Sequence, residues 1–204
     1  MKNIAIAGRF AVGKTSVANI LEANHGYVRM SIASSLKEFV NQMYARDVYG
    51  SDENARLQKS DIVFVNTPSG RKAVSVRQLL QDIGNGMKLI DQDIWLRGIR
   101  HQVLLWNEMG KPVVIDDVRF PREAEYLKNI GFLNIRLTAS EVIRLERYFK
   151  TYGVTPNKQE INDKSETLVD AITPDHDLDG ERSAEELADV IAALAVEQGN
   201  DFLY

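Results

Sequence analysis

The 204-residue sequence contains no cysteine, which excludes disulfides, cysteine-ligated zinc, iron–sulfur clusters and thiol nucleophiles together. Histidine is scarce. His25, His101 and His176 stand apart, with no pair at the spacing of a histidine-ligated metal site. Long apolar runs are missing as well: the longest, Val190 to Val196, falls well short of the roughly 18 residues of a membrane span. The apolar start, Asn3 to Ala7, is broken at once by Gly8-Arg9 and is too short for a signal peptide, so a cytoplasmic protein without a membrane partner is expected. Positive charge is not in excess, since 25 Lys and Arg stand against 29 Asp and Glu for a net charge of -4. That balance argues against a general nucleic-acid binder and leaves room for a local basic pocket. What remains is an ordinary globular composition, 44% hydrophobic and 26% charged, long enough to bury a core, and a single domain over 1–204 is expected.

Strand-length apolar runs alternate with helical patterns, which predicts an α/β domain with a mostly parallel sheet. Asn3 to Ala7 reads as a strand, and Val12 through Ala23 as a helix stopped at His25-Gly26. Tyr27 to Met30 reads as a short strand before a helix through Leu36, Phe39, Val40 and Met43. Ser75 caps a helix expected to close at Gly84, and a further helix covers Ile94 to Met109. Pro112 to Ile115, a helix opened by Pro121, and Leu133 to Leu137 form a βαβ unit. Ser140 begins the next helix, and Ser183 with Glu186 forms a capping box for the last one. Residues 51–71 give no clear pattern.

The segment Gly8-Arg9-Phe10-Ala11-Val12-Gly13-Lys14-Thr15 matches G-x-x-x-x-G-K-[ST] between an expected strand and an expected helix. In this composition a chance match is expected on the order of 0.004 times in a whole chain. The residue types suit a phosphate cradle over Gly8 to Ser16. Glycines let backbone N–H groups turn onto phosphates, Lys14 reaches the β/γ oxygens, and the Thr15 hydroxyl can ligate Mg²⁺. A nucleotide with Mg²⁺ is therefore expected. The motif does not name the acceptor. Asn157-Lys158-Gln159-Glu160 approaches a GTPase base-reading motif but ends in Glu and follows Pro156 in a polar loop, so we read it as coincidence.

At the end of the Val113–Ile115 strand stand Asp116, Asp117 and Arg119. The acids could hold magnesium or orient an acceptor and Arg119 could fork onto a phosphate; a helix cap with a surface ion pair to Glu123 is the alternative. The longer segment Asp117-Val118-Arg119-Phe120-Pro121-Arg122-Glu123-Ala124 resembles the DVRF-x-x-E-A segment of phage-type deoxynucleoside monophosphate kinases. Arg77 to Gly84 resembles their R-x-L-L-Q-x-x-G helix, Asp93-Ile94-Trp95 their D-x-W, and Ser165-Glu166-Thr167 their S-E-T, in matching order along nearly the whole chain. The sequence departs from the family at Asn85-Gly86-Met87-Lys88 and Asn162-Asp163-Lys164, which bears on base selectivity.

The resemblance implies a P-loop NTPase-type three-layer sandwich with a mobile lid, and ATP-dependent phosphorylation of a deoxynucleoside 5′-monophosphate. On that reading Lys14, Arg119, Arg144 and Arg147 are catalytic. Lys37, Arg77, Gln81, Trp95, Asp117, Arg119 and Glu166 bind substrate, and Thr15, Asp116 and Asp117 serve the metal. Arg144, Arg147 and Lys150, at i, i+3 and i+6, would deliver cations from a lid at about 144–166, or form a solvated basic face. Lys37, Arg77 and Gln81 could equally be plain helix-surface residues, and Trp95 among Ile94, Leu96 and Ile99 could be core. Two rivals remain: a kinase acting on a hydroxymethylated pyrimidine in phage DNA, and a nucleotide-binding module without turnover. A homodimer is left open.

Overall fold

The computed structural model describes residues 1–50, 56–156, 161 and 164–200. The chain divides into two compact units, Met1–Ser31 with Arg100–Tyr204, and Ile32–Ile99. The first unit carries a five-stranded, all-parallel sheet in the order β2-β5-β1-β6-β7. Its strands are β1 (Asn3–Ala7), β2 (Val28–Met30), β5 (Val113–Val118), β6 (Phe132–Thr138) and β7 (His176–Asp179). All five residues of β1 are buried, so both faces of the sheet are covered, and its unbroken apolar run is what such a central strand requires. One face packs Ile4, Ile6 and Leu133 against Val17 and Leu21 of α1 (Lys14–His25) and Leu187 and Ile191 of the terminal helix α8 (Ala184–Asn200). Helix α5 (Pro121–Asn129) buries Ala124 and Leu127, and its Ala124 carbonyl accepts the Asn134 side-chain amide at 2.9 Å. Helix α6 (Glu141–Tyr152) follows β6, and α7 (Lys164–Leu168) precedes a short 3₁₀ turn at Val169–Ala171.

The second unit holds α2 (Ser34–Tyr49), the antiparallel hairpin β3 (Ile62–Thr67) and β4 (Gly70–Ser75), and α3 (Val76–Ile90). Its core is Val40, Val63, Val76 and Leu79. Helix α4 (Ile94–Glu108) contains the boundary between the units, at Ile99 and Arg100.

The βαβ reading and the helix around Val12–Ala23 hold, the latter ending at Gly26 with φ 73°. Several expectations need correction. Gly84 does not end α3, which runs on to Ile90: it is buried mid-helix, where a Cβ would come within 3.0 Å of Leu36 Cδ2, so it is a glycine of close packing. Phe39 and Met43, on the apolar pattern that marked α2, are exposed. The unassigned stretch before Arg71 contains β3, whose Val63 faces the core while Ile62 and Phe64 face out. Strand β7 was not anticipated; with acids at two of four positions it is a polar edge strand, and Asp177 pairs with Arg136 of β6. The Ser183–Glu186 box is half formed: the Glu186 amide donates to Ser183 Oγ at 3.1 Å, while its carboxylate pairs with Arg182. Of the expected lid at 144–166, residues 157–160, 162 and 163, and with them Asp163 and the Asn157–Glu160 motif, lie outside the described residues.

Candidate active site

Strand β1 feeds directly into the Gly8–Gly13 loop, which turns into α1 at Lys14. Gly8 sits at φ 149°, and a Cβ there would lie 2.6 Å from the Leu137 carbonyl oxygen, so no other residue fits against β6. Ala11 adopts φ 54° and Gly13, at the N-terminus of α1, φ 109°. No side chain caps α1, which leaves its first-turn amides and the positive end of its dipole for an anion.

The Lys14 ammonium donates across the loop to the carbonyls of Gly8 (2.5 Å) and Arg9 (2.8 Å). Burial pushes its pKa down to about 8, helped by the positive charge of Arg119 and opposed by Glu166, Asp116 and Asp117. The Thr15 hydroxyl donates to Asp116 Oδ2 at 2.8 Å. Asp116 is buried and is gripped on both oxygens by Arg29, with Nε to Oδ1 at 3.1 Å and Nη2 to Oδ2 at 2.9 Å. Arg29 also donates to Asn19 Oδ1, and Ser31 Oγ donates to Asp117 Oδ2 at 2.6 Å. Sequence reasoning missed Arg29; its one signal was a lone cation in the middle of the short strand β2.

Among the described residues no cluster of three or more His, Asp or Glu forms a cage for a metal. The oxygen donors of Thr15 and Asp116 nevertheless fit Mg²⁺, which keeps several waters and needs few protein ligands. Thr15, donating its hydrogen to Asp116, keeps its oxygen lone pairs for the ion, and Asp116, neutralised by Arg29, suits an ion held through water.

Arg119 follows β5 and donates from Nη1 to Glu166 Oε1 at 3.0 Å. Glu166, expected on the acceptor side, is buried; its second oxygen accepts the Phe10 amide of the loop at 2.7 Å, so it ties α7 to both. Glu123 caps α5 by accepting the main-chain amides of Arg119 (3.0 Å) and Phe120 (3.2 Å). Arg9 forks onto Asp170.

A phosphate loop at the carboxyl edge of a parallel sheet, with a hydroxyl–carboxylate pair behind it, agrees with what comparison with known proteins finds. A family model described as an AAA domain matches residues 4–168. The chain belongs to the AAA domain family. A protein of Acanthamoeba polyphaga mimivirus named "Putative deoxynucleotide monophosphate kinase" is 28% identical over 140 residues, 66% of this chain and 72% of the relative. The fold of this AAA domain is that of the P-loop kinases. A gluconokinase from Sinorhizobium meliloti 1021 superimposes with a TM-score of 0.55 at 16% identity, over 98% of this chain and 94% of its own. A dephospho-CoA kinase from Campylobacter jejuni does so with a TM-score of 0.55 at 13% identity, over 97% and 98%.

In this AAA domain the three cations of α6 are not alike. Lys150 is exposed. Arg147 is held by carbonyls, with Nη1 donating to Val12 (3.0 Å) and Gly180 (2.7 Å) and Nη2 to Glu181 (3.2 Å), so it braces the loop from behind. Arg144 is buried over the Phe10 ring, 4.9 Å from its centroid, and its Nε and Nη1 have no hydrogen-bond partner among the described residues. The solvated basic face weighed for this helix is therefore corrected at Arg144 and Arg147, because the loop packs on that side.

In the second unit, Lys37 and Arg77 line one cavity of about 740 Å³, together with Arg56 and Lys59. Gln81, one turn beyond Arg77, is exposed. Trp95 is half-buried and its indole N–H donates to the Gly84 carbonyl at 3.2 Å, which anchors α4 to α3.

Proposed function

We propose that this chain transfers the γ-phosphoryl group of ATP to a deoxynucleoside 5′-monophosphate, with Mg²⁺. The observation that carries the reading is that the chain has two sets of cationic and donor groups of different design, each suited to an anion. The Gly8–Ser16 loop presents amides, Lys14 and the Thr15–Asp116 pair, which suits a nucleotide polyphosphate with its metal. The cavity in the second unit is lined by Lys37 and Arg77 within a chain of net negative charge, and its volume exceeds that of one nucleotide. The family resemblance in the sequence and the mimivirus relative support a nucleotide as the occupant.

Phosphoryl transfer asks the protein to place two anions in line and to stabilise the charge that spreads between them. Lys14 would exchange its two carbonyl partners for phosphate oxygens. Thr15 and Asp116 would hold Mg²⁺, which when bound neutralises phosphate charge. Arg144 has donors to offer a transferring phosphoryl group, whereas Arg147 acts as a positioning residue through the carbonyls of Val12 and Gly180. Arg119 would exchange its Glu166 partner for a phosphate oxygen. A screen of ADP release with each of the deoxynucleoside and ribonucleoside monophosphates tests the reading. Turnover dependent on a monophosphate supports it, and ATP binding without such turnover favours the non-catalytic module.

A further inference from the structure

The second-unit cavity contains more than cations. Helix α2 faces it with Ser34, Lys37, Glu38 and Asn41, a polar stripe at i, i+3, i+4 and i+7. Asn41 is only 8% exposed, and its side-chain Oδ1 accepts the Leu57 amide at 2.9 Å. Because a main-chain N–H must meet an acceptor, that bond fixes the amide's orientation and leaves Nδ2 as the group for another partner. Among the described residues Nδ2 has none. Glu38 is half-buried; Oε1 accepts the Gln42 amide at 3.2 Å, and Oε2 has no partner among the described residues. The cavity thus offers one fixed donor and one carboxylate on adjacent turns of the same helix.

The order along α2 sets the direction of a ligand. No side chain caps the helix and its first turn carries no acid, so its positive end and Lys37, whose side chain leans toward the helix N-terminus, draw an anion there. Asn41 lies about 6 Å further along the axis. A nucleotide with its phosphate at Lys37 therefore brings its base to Glu38 and Asn41. Resting on the acceptor reading above, we infer that Glu38 is a specificity-determining residue and that the preferred acceptor base is guanine. Guanine presents N1–H and N2–H side by side to the two carboxylate oxygens, with O6 next to them for Asn41 Nδ2. Thymine offers one N–H flanked by carbonyl oxygens, so one carboxylate oxygen meets a lone pair. Cytosine and adenine offer an amino group beside a ring acceptor, with the same conflict.

The test is kcat/KM for dGMP, deoxyinosine monophosphate, dAMP, dCMP and dTMP with the wild type and Glu38→Gln, with the KM for ATP followed throughout. Deoxyinosine monophosphate differs from dGMP only by lacking the 2-amino group. The expected result is a wild-type preference for dGMP, about tenfold or more over the inosine analogue. Glu38→Gln should lower dGMP turnover about ten- to a hundredfold, erase the difference between those two and leave the ATP KM unchanged. A wild type indifferent to the 2-amino group, or a variant that loses activity equally on all five, would overturn the assignment. No turnover of any of the five by a wild type that binds ATP overturns the kinase reading itself and this inference with it.

Discussion

Replacing Arg29 by alanine strands the Asp116 carboxylate, which is 5% exposed, with the Thr15 hydroxyl as its one remaining partner among the bonds described above. Two hydrogen bonds to a charged acceptor are lost, at 3.1 and 2.9 Å. Breaking a fully buried pair costs about 3–5 kcal/mol. The Arg29 side chain is 34% exposed, so water reaches the gap and offsets part of that cost, and the expected loss is about 2–3 kcal/mol. For a chain of this length the melting midpoint should fall by about 4–12 °C. Asp116→Asn alone should cost less, because the amide oxygen still accepts from Arg29. In the double variant the stranded charge no longer exists, so the two changes should be coupled by about 1.5–2 kcal/mol. Urea melts of the four proteins measure this. Additivity within about 0.5 kcal/mol would refute the claim that Arg29 acts through Asp116.

Lys14, with its pKa at about 8 before nucleotide binds, should regain its proton when phosphate surrounds it. At pH 8 ATP binding should then take up about half a proton, and at pH 7 about a tenth, seen by calorimetry in buffers of different ionisation enthalpy. Because the unfolded lysine titrates near 10.5, the unfolded chain binds more protons above pH 8, so this group adds stability to the free protein as pH rises from about 8 to 10.5. Binding heats that do not depend on the buffer at pH 8 would contradict the shift. Arg144→Met should raise stability by about 1–3 kcal/mol, since it removes a buried charge with two unpartnered donors, and should cut kcat at least tenfold with a smaller effect on ATP affinity. A variant that is less stable, or one that keeps wild-type kcat, would make Arg144 a structural residue.

The sheet was legible where strands are buried on both faces, because Ile4–Ala7 of β1 and Val113–Ile115 of β5 are unbroken apolar runs and β6 carries Phe132, Leu133, Ile135 and Leu137. The phosphate loop was legible because its chemistry is local: glycines, lysine and threonine act within eight consecutive residues. Strand β7 was not, since it sits at an edge and its inner and outer positions are set by Arg136, forty residues away. Hairpin β3–β4 was obscured because one strand face is exposed yet carries Ile62 and Phe64, which blurs the alternation. Gly84 has the composition of a helix end and the surroundings of a helix contact, and only the position of Leu36 tells them apart. The roles of Arg29, Arg147 and Glu166 depend on partners brought from distant segments, so no spacing rule could supply them.

The central claim is the proposal that this chain is a phosphotransferase acting on a deoxynucleoside monophosphate, and the direct measurement is transfer of labelled γ-phosphate from ATP to a deoxynucleoside monophosphate in a single turnover. Wild-type protein with Mg²⁺ should form the labelled diphosphate at about 1–100 s⁻¹ with at least one of the four common deoxynucleotides. Lys14→Ala, folded by circular dichroism, should be slower by two orders of magnitude or more. Near-normal transfer by Lys14→Ala, or label appearing only in inorganic phosphate with every acceptor, would contradict it.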